Sequence, residues 1–398
     1  MGEEALSRID EPYCRRMLEE MVAIPSVVNE EKALAEYLRG KLEELGLETR
    51  LQPVEGDRSN VIAVHRFPKP GPMLMFNGHL DTVPVCEGWT TDPFNPVIRE
   101  GRLYGLGSVD MKAGIACAVT AIKALMGSDA PLRGTLAFTG VVGEEAYSKG
   151  AKALLKTEMA EADAVVIGEP YTGIGEGAIP LGITGKVLYD ITVKGRAAHG
   201  FRPHLGVNAI EEAARILVNL DKLELKPHPR FGRGNICTLK IEGGYKVYSV
   251  VVPESCRFEV NRLLVPGETI VSAVGDMERL VASLDLKADV EVGTKPPFYE
   301  SFEMSSDEPI VQIFTGAFRE VHGRDPEFRY TTSITDGNVF TGEGGIPSIH
   351  FGPAGMGAHQ RDEYVVLDTL MPTMKIYVKM ACEFLGGSAP IPHKKRSP

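Results

Sequence analysis

Cysteine is sparse in this 398-residue sequence, and its six copies stand apart. Cys14, Cys86, Cys117, Cys237, Cys256 and Cys382 form no C-x-x-C pair, which leaves no thiolate cluster for metal or redox chemistry. Several lie in apolar surroundings and read as small core residues in a reducing cytoplasm, with Cys86, near the candidate site around His79, the exception. Positive charge is in deficit: the net charge of −11 argues against nucleic-acid or anionic-membrane partners. The basic cluster from His393 to Arg396 reads as a solvated tail. No run approaches the ~18 uninterrupted apolar residues of a transmembrane helix. The first residues, MGEEALSR, lack the apolar core of a signal peptide. What is present is 43% hydrophobic residues, enough for substantial cores, in a chain whose length suits two domains.

Chemistry concentrates where apolar runs end. In MFNGHLDTVP at 75–84, Gly78 breaks an apolar strand, so His79 emerges at its C-terminal edge, where open α/β sheets place their sites. Asp81, two residues on, is in reach of the far ring nitrogen of His79 and suits a ligand's orienting carboxylate. In GRLYGLGSVDMKAG at 101–114, Asp110 follows a glycine-rich loop and precedes a helix expected over 112–125. TLAFTGVVGEE at 135–145 is a strand ending in Glu144 and Glu145, and AVVIGEP at 164–170 repeats the design with Glu169. His359 lies in GAHQRDEY at 357–364, after a strand-like SIHF at 348–351. Two imidazoles and several carboxylates without thiolate favour zinc, cobalt or a similar borderline ion. Carboxylates to spare for bridging suit two such ions.

These motifs, in this order and at these intervals, resemble the metallo-amidohydrolases that include acetylornithine deacetylase, succinyl-diaminopimelate desuccinylase, aminoacylase and glutamate carboxypeptidase. The resemblance runs from the helix near Leu18 to the helix after His359. It implies that His79 and Glu169 hold one divalent metal, that Glu145 and His359 hold the other, and that Asp110 bridges them. Asp81 would then back His79, Glu144 would be the general base, and the Asp110–Met111 peptide bond would be cis. The two ions implied are zinc, with cobalt as the alternative.

Helix and strand alternate up to about residue 182, the pattern of an α/β sheet with helices on both faces. The order then becomes β-α-β-β-α-β, a ferredoxin-like split unit, before helix–strand alternation resumes. This gives a discontinuous catalytic domain of residues 1–182 and 295–398, with a mixed sheet flanked by helices, and an inserted α+β lid and dimerisation domain of residues 183–294. Within the insertion, KGRAAHG at 194–200 ends a strand with His199. The resemblance makes His199 the oxyanion-stabilising histidine, with His204 its rival. It makes Arg262 a lid arginine clamping a substrate carboxylate. Family members often carry Asn where Val250 stands here, which bears on substrate contacts and not on the metals. Thr335, Asp336 and Asn338 read as loop-shaping or substrate-facing, and Gly352 to Gly355 as a backbone cradle for a carboxylate. The resemblance also implies a homodimer paired through the lid.

The expected activity is removal of the acyl group from an N-acyl amino acid, acetylornithine-like or succinyl-diaminopimelate-like, in the cytoplasm. Relatives that are aminopeptidases tend to have Asp where Glu169 stands. A dipeptidase or carboxypeptidase on the same scaffold is the alternative, and a non-catalytic binding relative the remote one. A nucleotide loop at Gly105 is rejected, because the glycine spacing fails the dinucleotide fingerprint and no P-loop lysine follows.

Overall fold

The computed structural model describes residues 2–170 and 179–387; the basic tail at 393–396 lies outside them. The chain divides into two compact units. The first comprises Met1–Leu181, Met304–Arg329 and Thr335–Pro398, and the second Gly182–Glu303 with Tyr330–Ile334. The return to the first unit falls at Met304 rather than at 295. Beyond the strand Asp289–Thr294, Tyr299 still pairs with Lys186, and Phe302 with Ile183, keeping that segment in the second unit.

The first unit is built on six strands: β1 (Glu48–Glu55), β2 (Arg58–Arg66), β3 (Met73–His79), β4 (Thr135–Val141), β5 (Ala164–Ile167) and β6 (Ser348–His350). Their order is β1-β2-β4-β3-β5-β6. Strands β3, β4, β5 and β6 run parallel, while β2 is antiparallel to both β1 and β4. The inner strands β3 and β4 are buried along nearly their whole length, as a sheet covered on both faces requires. The edge strand β1 has no fully buried residue.

Among the described residues five longer helices belong to this unit: α1 (Glu11–Val22), α2 (Lys32–Glu44), α3 (Ala113–Met126), α4 (Pro309–His322) and α5 (Leu370–Gly386). Asp10 caps α1 by accepting the Tyr13 N–H, with Pro12 in its first turn. Helix α4 starts on Pro309 and stops at Gly323, whose φ of 70° is the left-handed C-cap. Helix α3 is apolar almost all round and is buried all round, packed against α1 and α5. Its second residue must be glycine: a Cβ on Gly114 would stand 2.0 Å from the Gly168 carbonyl oxygen. That close approach sets the start of α3 against the end of β5. A small sheet in the order Gly355–Met356, Tyr364–Val366, Arg102–Tyr104, Val97–Arg99 ties the C-terminal loop to the segment before Asp110.

The second unit carries four antiparallel strands in the order Ile236–Gly243, Ser255–Leu264, Gly185–Lys194, Asp289–Thr294. Helices Ala209–Leu217 and Ile270–Ala282 contribute to one apolar core with them. In chain order this is the β-α-β-β-α-β split unit, a ferredoxin-like α+β domain inserted in the first unit's sequence.

Candidate active site

Parallel strands deliver their C-terminal ends to one edge, and the polar residues that follow them converge there. His79 is the last residue of β3, in register with Val141 at the end of β4. Glu144 and Glu145 follow β4, and Glu169 follows β5. Asp110 sits in a turn of non-helical backbone (φ −115°, ψ 91°) just before α3, and the Asp110–Met111 bond is cis.

Asp110 is the centre of the arrangement. Its Oδ1 lies 3.1 Å from His79 Nε2, and its Oδ2 lies 3.4 Å from His359 Nε2. Glu169 Oε1 is 3.9 Å from the same His79 nitrogen, and Glu145 Oε1 is 2.9 Å from the His359 nitrogen. The residues therefore fall into two lobes, His79 with Glu169 and His359 with Glu145, which share Asp110. Ligand atoms of His79, Asp110 and Glu145 all lie within 4.8 Å of one another.

Acid outweighs base in this space. Burial pushes Glu144 well above its ordinary pKa, and burial with the Asp110 charge pushes Glu169 up to about 8. Burial works against a charge on His79, yet Asp110, Glu169 and Glu144 outweigh it and hold the imidazole well above its usual range. Hydrogen bonds to Asp110 and Glu145 raise His359 to about 10.

The role expected of the Asp81 carboxylate needs correction. His79 Nδ1 is 2.9 Å from the Asp81 main-chain oxygen, while the carboxylate stays 3.9 Å away. That carboxylate instead accepts the main-chain N–H groups of Gly143, Glu144 and Glu145, at 2.9, 3.1 and 2.9 Å. The β3 exit turns the Asp81 side chain toward the neighbouring loop, and the carbonyl takes over the ring.

Arg262 is also corrected. It is fully buried within the second unit, with Nη2 2.6 Å from Glu268 and 2.9 Å from Asp276, so its charge is turned to these two acids inside the unit rather than to an open surface where a substrate carboxylate could meet it. Thr335, Asp336 and Asn338 shape their loop. Thr335 Oγ1 meets His350 Nε2 at 2.8 Å and accepts the Gly337 N–H, and Asn338 Oδ1 accepts the Thr335 N–H. Asp336 is buried against Asn77, whose side-chain amide it accepts at 3.2 Å. Gly352 gives room for packing rather than a cradle: a Cβ there would stand 2.3 Å from the Gly168 oxygen and 2.8 Å from that of Glu169. His199, in the second unit, is exposed, and its Nδ1 accepts the Phe201 N–H at 3.2 Å. Its proton is thereby left on Nε2. His204 is exposed.

Nothing in the sequence marks Lys112 as buried, since a lysine two residues after an acid reads as a surface residue. It is buried, and its Nζ donates to the Met21 and Ile24 carbonyls at 3.0 Å each, tying the end of α1 to the start of α3.

The description "Peptidase family M20/M25/M40" belongs to a family model that matches residues 75–383. Succinyl-diaminopimelate desuccinylase of Dechloromonas aromatica (strain RCB) is 30% identical over 371 residues, spanning 90% of this chain and 94% of its own. Aminopeptidase PepT of Bacillus cereus ATCC 10987 shares the fold with a TM-score of 0.75 at 24% identity, over 95% of this chain and 99% of that one. The YXEP protein of Bacillus subtilis, described as a dinuclear metal binding peptidase, aligns with a TM-score of 0.70 at 17% identity, over 95% and 98%. The family match takes in every strand end that lines the site, from His79 to His359. The chain is a member of peptidase family M20/M25/M40.

Proposed function

We propose that this chain is a two-metal amidohydrolase that cleaves the amide of an N-acyl amino acid, of the acetylornithine or succinyl-diaminopimelate type. The observation that carries the reading is Asp110, whose two carboxylate oxygens face two different imidazoles. The donor set fits borderline divalent ions, being two imidazoles and three carboxylates with no thiolate. His79 and Glu169 would hold one ion and Glu145 and His359 the other, with Asp110 the carboxylate within reach of both pairs. Zinc or cobalt held by these residues would supply Lewis acidity for the scissile carbonyl and for a nucleophilic water.

Glu144 acts as the general base. It takes a proton from the attacking water and returns it to the leaving nitrogen, help worth roughly 100- to 10,000-fold. Asp81 holds the main chain of Glu144 and Glu145 and so keeps base and ligand in register. His199 is the donor to the developing oxyanion, its Nε2–H being the free end of a ring whose Nδ1 is engaged. The N-acyl substrate class follows the 30% identical desuccinylase and the presence of Glu at 169.

The same reading makes the protein a homodimer paired through its second unit. Strand Ile236–Gly243 is an edge of its sheet and is exposed from Cys237 to Gly243, Leu239 and Ile241 included. A cytoplasmic setting agrees with six free cysteines, two of which, Cys14 and Cys117, face each other unlinked at 3.9 Å. Among the described residues no helix is long and apolar enough to cross a membrane.

A hydrolysis screen of the zinc- or cobalt-loaded protein tests the proposal, with N-acetyl and N-succinyl amino acids set against dipeptides. Amine released from one acyl substrate, lost on chelation and restored by metal, is the expected result. Turnover of dipeptides alone would move the protein to the peptidase branch, and no chelator-sensitive hydrolysis of either class would sink the reading.

A further inference from the structure

Glu363 belongs to none of the two-metal ligand pairs, yet it is buried within hydrogen-bond reach of the Asp110 turn. Its Oε1 accepts the N–H groups of Val109 and Asp110 at 2.9 and 3.0 Å, and its Oε2 accepts that of Gly107 at 2.9 Å. Its main-chain oxygen accepts the Gly105 N–H at 3.0 Å. One residue thus satisfies four amides of the 105–110 segment. It does so from the loop that carries His359, immediately before the strand Tyr364–Val366 that pairs with Arg102–Tyr104.

The loop itself is held in an uncommon shape. His359 and Asp362 have φ of 62° and 56°, the left-handed region that non-glycine residues adopt only when their surroundings impose it. Asp362 is anchored by the Thr90 N–H and hydroxyl at 2.8 and 3.0 Å. Gly357 packs so near that a Cβ would stand 3.0 Å from the Glu363 Cα.

We infer that Glu363 is a positioning residue that locks the Asp110 turn to the His359 loop, keeping each Asp110 oxygen aimed at its own imidazole. The inference rests on the two-metal reading. Its chemical core is that all three partners of the side chain are N–H donors. Only a group with two acceptor oxygens satisfies them together, because the isosteric amide of glutamine would set an NH2 against at least one amide N–H. An acid serving merely as a solvated loop residue would have no such requirement.

The experiment compares the unsubstituted protein with E363Q and E363D by cobalt titration, followed through the visible absorption of the bound ion. Thermal melts and steady-state kinetics accompany it. For a folded E363Q the expected result is an altered cobalt spectrum, an affinity for cobalt about 10- to 100-fold weaker, and kcat reduced by more than KM rises. A cooperatively melting E363Q with unchanged spectrum, cobalt affinity and kcat would overturn the inference. Should E363Q fail to fold, E363D decides: it keeps two acceptor oxygens one methylene short, so a changed spectrum and a smaller loss of affinity are expected, and wild-type values for both overturn it. An unsubstituted protein that binds no cobalt overturns the two-metal reading and this inference together, whereas normal loading with an unaffected variant overturns this inference alone.

Discussion

The Asp81 carboxylate accepts the Glu145 main-chain N–H at 2.9 Å, so a residue at the end of one strand fixes the backbone that follows the next. Gly143 and Glu144 hang from the same group. Asp81→Asn replaces one acceptor oxygen with a donor facing amides that are themselves donors. A loss of about 1–3 kcal/mol in stability is expected, together with a fall in kcat of about 10- to 100-fold. Urea unfolding and steady-state kinetics on one preparation would check both. A variant that lost only the first would reduce Asp81 to a structural anchor.

Glu144→Gln should separate binding from chemistry. Metal stoichiometry by elemental analysis is expected to stay at the unsubstituted value while kcat drops roughly 100- to 10,000-fold. Unimpaired turnover would remove Glu144 as the base.

Gly114→Ala tests the contact that sets α3 against β5. A methyl 2.0 Å from the Gly168 oxygen meets backbone, which cannot swing aside. The expected cost is about 1–3 kcal/mol, larger than the roughly 0.5–1 kcal/mol that alanine gains over glycine inside a helix. A melting temperature equal to or above that of the unsubstituted protein would contradict it.

Arg262→Met bears on the second unit. Removing the guanidinium strands Glu268 in the interior, a change of about 3–5 kcal/mol for a buried pair, with KM unchanged. A tenfold rise in KM with stability intact would return Arg262 to the substrate.

His350 predicts a pH dependence of stability. Burial lowers its pKa to about 4, whereas the unfolded residue titrates near its ordinary value of about 6.5. Between those values the unfolded chain takes up a proton that the folded chain refuses. Stability attributable to this group is therefore full above about pH 6.5, declines as pH falls toward 4, and levels off below. Between about pH 7.5 and 4.5, which takes in most of that window, the unsubstituted protein should lose roughly 2.5 kcal/mol more than His350→Gln, measured by urea midpoints. Parallel losses in the two proteins would exclude the residue.

Much of the site was legible because strand, glycine and acid recur together. Gly78, Gly143 and Gly168 each end an apolar run, and the residue that follows lies at the same sheet edge. The phase of its strand also places Arg262 on the buried face. In the strand Ser255–Leu264 the buried positions are Cys256, Phe258, Val260, Arg262 and Leu264, one face at a period of two. What the pattern could not supply was the pair of acids that neutralise it from other elements. Asp81 misled through spacing: His-x-Asp permits either the carboxylate or the carbonyl to meet the ring, and only the direction of the chain leaving β3 decides. Glu363 carries no sequence signature, since an acid among Gln360, Arg361 and Asp362 is indistinguishable from a solvated loop.

The sheet closes late. Ile349 of β6 pairs with Val166 of β5, although the whole second unit lies between them in sequence. A nascent chain that has emerged from the ribosome only as far as Glu169, just past β5, carries His79, Asp110, Glu145 and Glu169 but not His359. It also carries an unpaired parallel strand edge, open to intermolecular pairing. Such long-range closure slows folding, and it makes the arrival of β6 the event that both seals the edge and brings the last imidazole to the waiting carboxylates.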